Sequence, residues 1–336
     1  MPAVSVVIPS YNHAAWVAGA VQSALGQTLR DVEVIVIDDG SSDASREVLA
    51  GLSDPRLTVV AQDNRGAHAA LNAGIERAAA PVIAVLNSDD AYDTERLARC
   101  LPALTADVSL VASWIEIIDA TGTAVGIKHG YRDCEPWLLP HPERSFRAGD
   151  DPRAVLLTEH YLGTTSNFLF RRADWAALGG FRPLRYAHDW DLALRLAELA
   201  PPRLVEQPLL RYRVHERNTI REDRAAMVFE ICWCLAVHLP RHLGAPWFGA
   251  AGGERMAQVL ASIYTYGCEA VLATLLAFDL ARNESLALAL LDPADARRAA
   301  LLADIRERMG ADTAARGESP APGGRARRWL RGWGRA

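Results

Sequence analysis

Two adjacent carboxylates stand in the run Asn87-Ser88-Asp89-Asp90, directly after the apolar residues 82–86. An apolar run of that length, following a helical stretch and the break at Pro81, reads as a buried parallel strand. Open α/β sheets bind ligands just beyond the carboxyl ends of their strands. Clustered acidic side chains at such an end suit a hard divalent cation, Mg²⁺ or Mn²⁺, which can neutralise a diphosphate. The plain alternative is a solvated turn before a helix that Asp93 or Thr94 caps.

The elements needed to hold such a site recur through the first half of the chain. Residues 4–8, 32–37 and 57–60 are further apolar runs, separated by helical stretches at 14–25, around Arg46 and Leu49, and at 66–79. This alternation predicts a doubly wound, mostly parallel sheet. Residues 108–118, 167–170 and 209–214 supply more strand, and 189–199 a helix. The segment 129–152, rich in Pro, Arg, Asp and Gly, reads as a long loop of the kind used as a lid or binding loop. From 222 to 309 the pattern is helical and rich in Ala and Leu, and the tail from Gly310 has the composition of a flexible segment.

Composition narrows the function. Half of the 336 residues are hydrophobic and 23% are charged, an ordinary globular balance. A net charge of −5 argues against a nucleic-acid partner, which calls for a basic surface. Five scattered cysteines and the absence of a secretory signal or a membrane-length apolar run fit a cytoplasmic chain. Cys232 and Cys234 read as part of a buried helix face rather than a metal site.

In order along the chain come residues 5–12 (Ser-Val-Val-Ile-Pro-Ser-Tyr-Asn), 36–43 (Val-Ile-Asp-Asp-Gly-Ser-Ser-Asp), Asn64-Arg65-Gly66, Asn72-Ala73-Gly74 and Asn87-Ser88-Asp89-Asp90. Gly179-Gly180-Phe181, His188-Asp189-Trp190-Asp191 and Tyr212-Arg213-Val214-His215 follow. This ordered set closely resembles family 2 glycosyltransferases of the GT-A fold, over residues 3–220. The resemblance implies a nucleotide-diphospho-sugar transferase domain at 1–220, a helical C-terminal extension at 221–309 and a basic tail at 310–336.

It further implies an inverting, metal-dependent transfer from a nucleotide-diphosphate sugar to a glycan or lipid-linked acceptor. Pro9, Ser10 and Tyr11 would line the base pocket, and Asn64 and Gly66 would stand beside the nucleotide. Asp38 would accept from a uracil-like N–H, favouring a UDP-sugar, with Asp39 helping at base or ribose. A buried carboxylate facing an N–H rejects bases that present an acceptor there.

Asp89 would reach the ribose or a cation-bound water. Asp90 would coordinate the cation, with His215 as a further ligand, and Arg213 would face the diphosphate or pair with Glu216. Asp189 falls on the position of the catalytic base, which direct displacement requires on the acceptor side. Asp191, four residues before Arg195, suits a helical ion pair.

Three departures stand out. Asn87 and His188 occupy positions where many relatives are acidic, and Leu71 replaces an arginine whose contact Arg65 would have to supply. Asn87 and His188 also fit a rival reading, a non-catalytic nucleotide-sugar-binding protein of the same fold. A nucleotidyltransferase would need a Gly-rich basic loop after the first strand, which Pro9-Ser10-Tyr11-Asn12 is not. Trp175 and Trp190 read as core or acceptor-site wall. Residues 323–336 carry five arginines, Trp329 and Trp333 without an acidic residue, a composition suited to an anionic membrane interface.

Overall fold

The computed structural model describes residues 1–129, 151–158, 160–216, 218–219, 222–243, 245 and 268–315. The long loop expected at 129–152 lies almost wholly outside the described residues, and so does the basic tail.

A nine-stranded sheet organises the chain: β1 (Val4–Ser10), β2 (Val32–Asp39), β3 (Leu57–Gln62), β4 (Val82–Val85), β5 (Ala91–Tyr92), β6 (Leu110–Ile118), β7 (Ala124–Lys128), β8 (Leu169–Arg171) and β9 (Arg203–Arg213). The order is β3-β2-β1-β4-β8-β6-β9-β5, with β7 paired to β6. The first four strands are mutually parallel, and β6 and β9 run with them, whereas β5, β7 and β8 run against them. The fold is thus mixed α/β with a mostly parallel sheet.

Alternation along the central strands assigns each face. Val4, Val6 and Ile8 of β1 join Val32, Val34 and Val36 of β2 on the face covered by α1 (Val17–Leu25). Val7, Ile35 and Ile37 point to the other face, under α3 (Ala67–Arg77). Both faces are buried, so these strands read as unbroken apolar runs. Gly74 lets α3 lie close on β1, since a Cβ there would come within 2.4 Å of Val7 Cγ1.

Two further motifs fasten to each other. The Asn72 amide on α3 accepts from Phe181 N at 2.8 Å and donates to Phe181 O at 2.9 Å. A Cβ at Gly180, where φ is +79°, would crowd Asn72 Oδ1 at 2.9 Å. Leu71 is fully buried in the core beneath, so an arginine there would have to leave it.

The shorter helices are α2 (Ser45–Ala50), α4 (Arg96–Cys100), α5 (Pro152–Thr158) and α6 (Arg172–Ala177). Helix α7 (His188–Leu199) carries the expected ion pair, Arg195 to Asp191 at 2.7 Å. The C-terminal helices are α8 (Arg224–His242), α9 (Glu269–Ala277), α10 (Glu284–Ala289) and α11 (Ala296–Ala315), the last running past residue 309 into the stretch read from sequence as tail. They share one continuous core with α3, α5 and α7, so the extension is bedded on the sheet domain. Cys232 and Cys234 are buried free thiols on α8 within that core. Trp190 is also a core residue, donating to Leu156 O at 2.7 Å, and Trp175 packs on Asn72 and Gly180. None of the described helices is long and apolar enough to cross a membrane.

Candidate active site

Register brings the first two motifs side by side: Ser10 at the end of β1 pairs with Asp38 at the end of β2, and β4 lies on the other side of β1. Beyond these strand ends lies a cleft of about 1120 Å³. Pro9, Ser10, Tyr11, Asp39, Asn64, Gly66, Asp89, His188 and Asp189 all line it, as do His13, Arg65 and His68.

At the nucleotide end, Asp38 is 1% exposed; its Oδ1 accepts from Ser41 N at 3.1 Å and from Arg46 Nε at 2.8 Å. Its Oδ2 is buried with no hydrogen-bond partner, as is Ser10 Oγ. Two orphaned polar atoms at adjacent strand ends are costly unless a ligand satisfies them.

Asp39 is engaged differently. It accepts from Gln62 Nε2 and from the backbone N–H groups of Arg65 and Gly66 at 2.7–2.9 Å, which shapes the loop entering α3. Gly40, at φ +80°, permits that approach, since a Cβ would meet Asn64 N at 2.8 Å.

At the acidic strand end the two aspartates differ. Asp89 Oδ2 lies 3.0 Å from His215 Nε2 and 4.0 Å from His13 Nε2. One ligand atom from each of these three residues falls within 4.8 Å of the other two. Burial alone would raise the Asp89 carboxyl, but the hydrogen bond from His215 and the charges of His13 and His215 hold it below its ordinary value. Trp16 stacks on His215 at 4.3 Å, and Ser88 Oγ bonds His13 Nδ1 at 2.8 Å, so both rings are held in place. An N₂O donor set of this kind fits a divalent cation of the Mn²⁺ type, for which imidazole is a good ligand.

Asp90 does not line the cleft. Its Oδ2 accepts from Ser166 Oγ at 2.6 Å and its Oδ1 from Arg213 N at 2.8 Å, at 2% exposure. Burial and the Asp89 charge raise its carboxyl well above the ordinary value. Each Asp90 oxygen thus accepts from the protein, whereas Asp89, expected at the ribose or a cation-bound water, is the aspartate that meets His13 and His215.

Arg213 donates to the carbonyls of Asp89, Asp119 and Ala120 at 2.8–3.2 Å, which braces the Asp89 turn from behind. Asn87 has a local reason to be an amide. It accepts from Thr165 Oγ1 at 3.0 Å while donating to Thr164 Oγ1 at 3.1 Å, and an aspartate has no such donor when ionised.

Asp189, which lines the same cleft, sits in the first turn of α7, its Oδ1 accepting from Trp190 N at 2.7 Å. His160 Nε2 approaches Asp189 Oδ2 at 2.9 Å, close enough for an ion pair though not aligned as a hydrogen bond. Burial would raise the Asp189 carboxyl, but the charge of His160, its side-chain contact and His188 bring it down to about 2.

The entry to α7 is fixed by Glu230 of α8, 1% exposed, which accepts from the backbone N–H groups of Arg185, Tyr186 and Ala187 at 2.7–3.0 Å. Sequence reading missed His13, His160 and Glu230. His13 had a signal, its place beside the Pro9-Ser10-Tyr11-Asn12 strand end. The other two are lone residues in unremarkable stretches.

The family model for glycosyl transferase family 2 matches residues 5–177. Among curated proteins, the chain is 28% identical to a chondroitin synthase of Escherichia coli over 65% of its own length and 30% of that protein's. It is 33% identical to the succinoglycan biosynthesis protein ExoO of Rhizobium meliloti, over 51% of this chain and 49% of that one. The chain thus spans less than half the length of these relatives.

Among solved structures it resembles residues 1–349 of S. aureus TarS in complex with UDP-GlcNAc, at TM-score 0.56 and 16% identity, covering 96% of this chain and 93% of that one. It also resembles a mannosyltransferase of Pyrobaculum calidifontis bound to GDP-Man and Mn²⁺, at TM-score 0.52 and 20% identity, covering 92% and 87%. At such identities the likeness concerns the fold.

Proposed function

From the membership of this chain in glycosyl transferase family 2, we propose that its cleft moves a sugar from a nucleotide-diphosphate donor to an acceptor hydroxyl by a single inverting displacement. The protein is a glycosyltransferase of the GT-A fold. The observation that carries the finer reading is that one cleft is lined both by His13 and Asp89, which form a donor set with His215, and by the half-buried, ionised Asp189.

In this reading, Asp38 Oδ2 and Ser10 Oγ bind the base, which favours a uracil N–H. Tyr11, 45% exposed at the mouth, packs on the ring. Asn64, Arg65 and Gly66 border the ribose and phosphates. His13, Asp89 and His215 would hold a divalent cation, which when bound supplies charge neutralisation for the departing diphosphate. Asp189 takes the acceptor proton, and its deep ionisation keeps it in the accepting form at any physiological pH. His160 orients the carboxylate, and Glu230 fixes the helix that presents it.

The polysaccharide synthases among its relatives support a glycan acceptor. The basic tail, with Trp329 and Trp333 at helical spacing, would hold the enzyme against an anionic membrane that carries lipid-linked acceptors. Titration of the full chain with UDP and with ADP, each with and without Mn²⁺, tests the donor reading. Tighter binding of UDP, strengthened by Mn²⁺, is expected, and equal affinity for both nucleotides would overturn the base assignment.

A further inference from the structure

A second group of ligating side chains lies outside the cleft, where α7 ends against the end of α8. His238 and His242 stand four residues apart on α8 and so project from one helix face. Glu198 of α7 reaches them: its Oε1 is 3.5 Å from His238 Nδ1 and 3.7 Å from His242 Nε2. All three ligand atoms lie within 4.8 Å of one another. Four-coordinate zinc with bonds of about 2.0–2.1 Å sets its ligand atoms roughly 3.3 Å apart, so the trio is close to ligating geometry.

The surroundings of His238 sharpen the case. Its ring is fully buried, and its Nε2 lies 3.0 Å from Asp191 Oδ1. Asp191 is itself clamped by Arg195 and Arg182, at 2.7 and 2.9 Å.

With Asp191 at Nε2, Nδ1 is the ring nitrogen that faces the Glu198 carboxylate. Nδ1 is buried and has no hydrogen-bond partner. A carboxylate that holds one imidazole nitrogen while the other is open to a metal is the outer support characteristic of metal-bound histidine.

We propose that Glu198, His238 and His242 form a zinc site that pins the end of α7 to α8, separate from the cation of the cleft. Two imidazoles and one carboxylate suit Zn²⁺ among common divalent ions, with water completing the tetrahedron. Glu198, whose side chain is 30% exposed, is the point of entry. The bound ion would brace the helix whose other end presents Asp189.

The test uses the full chain carrying D89N and H215Q, which remove the cleft ligands. After chelator stripping, it is dialysed against micromolar Zn²⁺ and its metal content measured. Co²⁺ serves as a spectroscopic probe of coordination. One equivalent of Zn²⁺ per chain, a rise in melting temperature on adding it, and the intense visible absorption of four-coordinate Co²⁺ are expected. Adding E198Q, a change at a partly exposed side chain, should weaken Zn²⁺ binding on the order of 10²-fold or more while the circular dichroism stays that of the parent. H242Q should do the same. No Zn²⁺ uptake by the parent, or uptake unaltered by both replacements, would overturn the site and leave His238 as an imidazolium bridging Asp191 and Glu198.

Discussion

Replacing Asp89 and Asp90 separately by asparagine distinguishes two readings of the acidic strand end. Asp90 accepts one hydrogen bond on each oxygen, from Arg213 N and Ser166 Oγ. In D90N the amide oxygen keeps the Arg213 bond, and the Ser166 hydroxyl can rotate to accept from the new NH₂. The loss should be about 1 kcal/mol of folding stability, with cation binding retained. Asp89 is the anionic member of the trio with His13 and His215.

D89N should therefore weaken Mn²⁺ by at least about 10²-fold, or about 3 kcal/mol. Urea unfolding with and without Mn²⁺ plus UDP reads both effects. At a free cation concentration near 100 times its Kd, the wild type and D90N should gain about 2.7 kcal/mol from the cation, and D89N should gain almost none. If D90N loses that increment while D89N keeps it, Asp90 reaches the cation and the assignment drawn from the geometry is wrong.

Three further outcomes follow from the same contacts. Asp189 is held at about 2 against an ordinary 3.8, so its ionisation stabilises the fold above pH 4 and that stabilisation fades as pH falls towards 2. The contribution is about 2 kcal/mol, and H160Q should remove most of it, flattening the urea-derived stability profile between pH 4 and 2; an unchanged profile would show that His160 does not hold the carboxylate. D38N, which puts an NH₂ where an acceptor faces the base, should lower UDP affinity roughly 10-fold or more in calorimetric titration, and unaltered affinity would remove Asp38 from the pocket. R213A strips donors from three carbonyls and should cost about 2–4 kcal/mol in urea unfolding while cation-free UDP affinity stays at the wild-type level, a result that a direct diphosphate contact would reverse.

The central sheet was legible because its strands are buried on both faces and so appear as unbroken apolar runs bounded by turns. The strand-end motifs followed from it, since a doubly wound sheet presents those ends to one crevice. Legibility failed where a role depends on which way a side chain turns. Nothing in the sequence distinguishes Asp89 from its neighbour; Ser166, 76 residues further on, bonds an Asp90 oxygen, while Asp89 meets His13 and His215.

Arg213 has the type and place of a phosphate ligand, and nothing local in the sequence shows its bonds to three backbone carbonyls. His160 and Glu230 act by proximity across the fold, from beyond α5 and from α8, and carry no local pattern. The Glu198-His238-His242 group was likewise half-hidden: the spacing of the two histidines was visible, but the glutamate that meets them lies on another helix.

The most direct test of the account is release of nucleoside diphosphate from a panel of nucleotide sugars, with water or a glycan as acceptor, by wild type and D189N. The wild type should release UDP from a UDP-sugar when Mn²⁺ is present and cease when a chelator is added. D189N should bind UDP as tightly but turn over roughly 10²–10⁴-fold more slowly. Release that survives the chelator, or that D189N sustains at the wild-type rate, would contradict the mechanism.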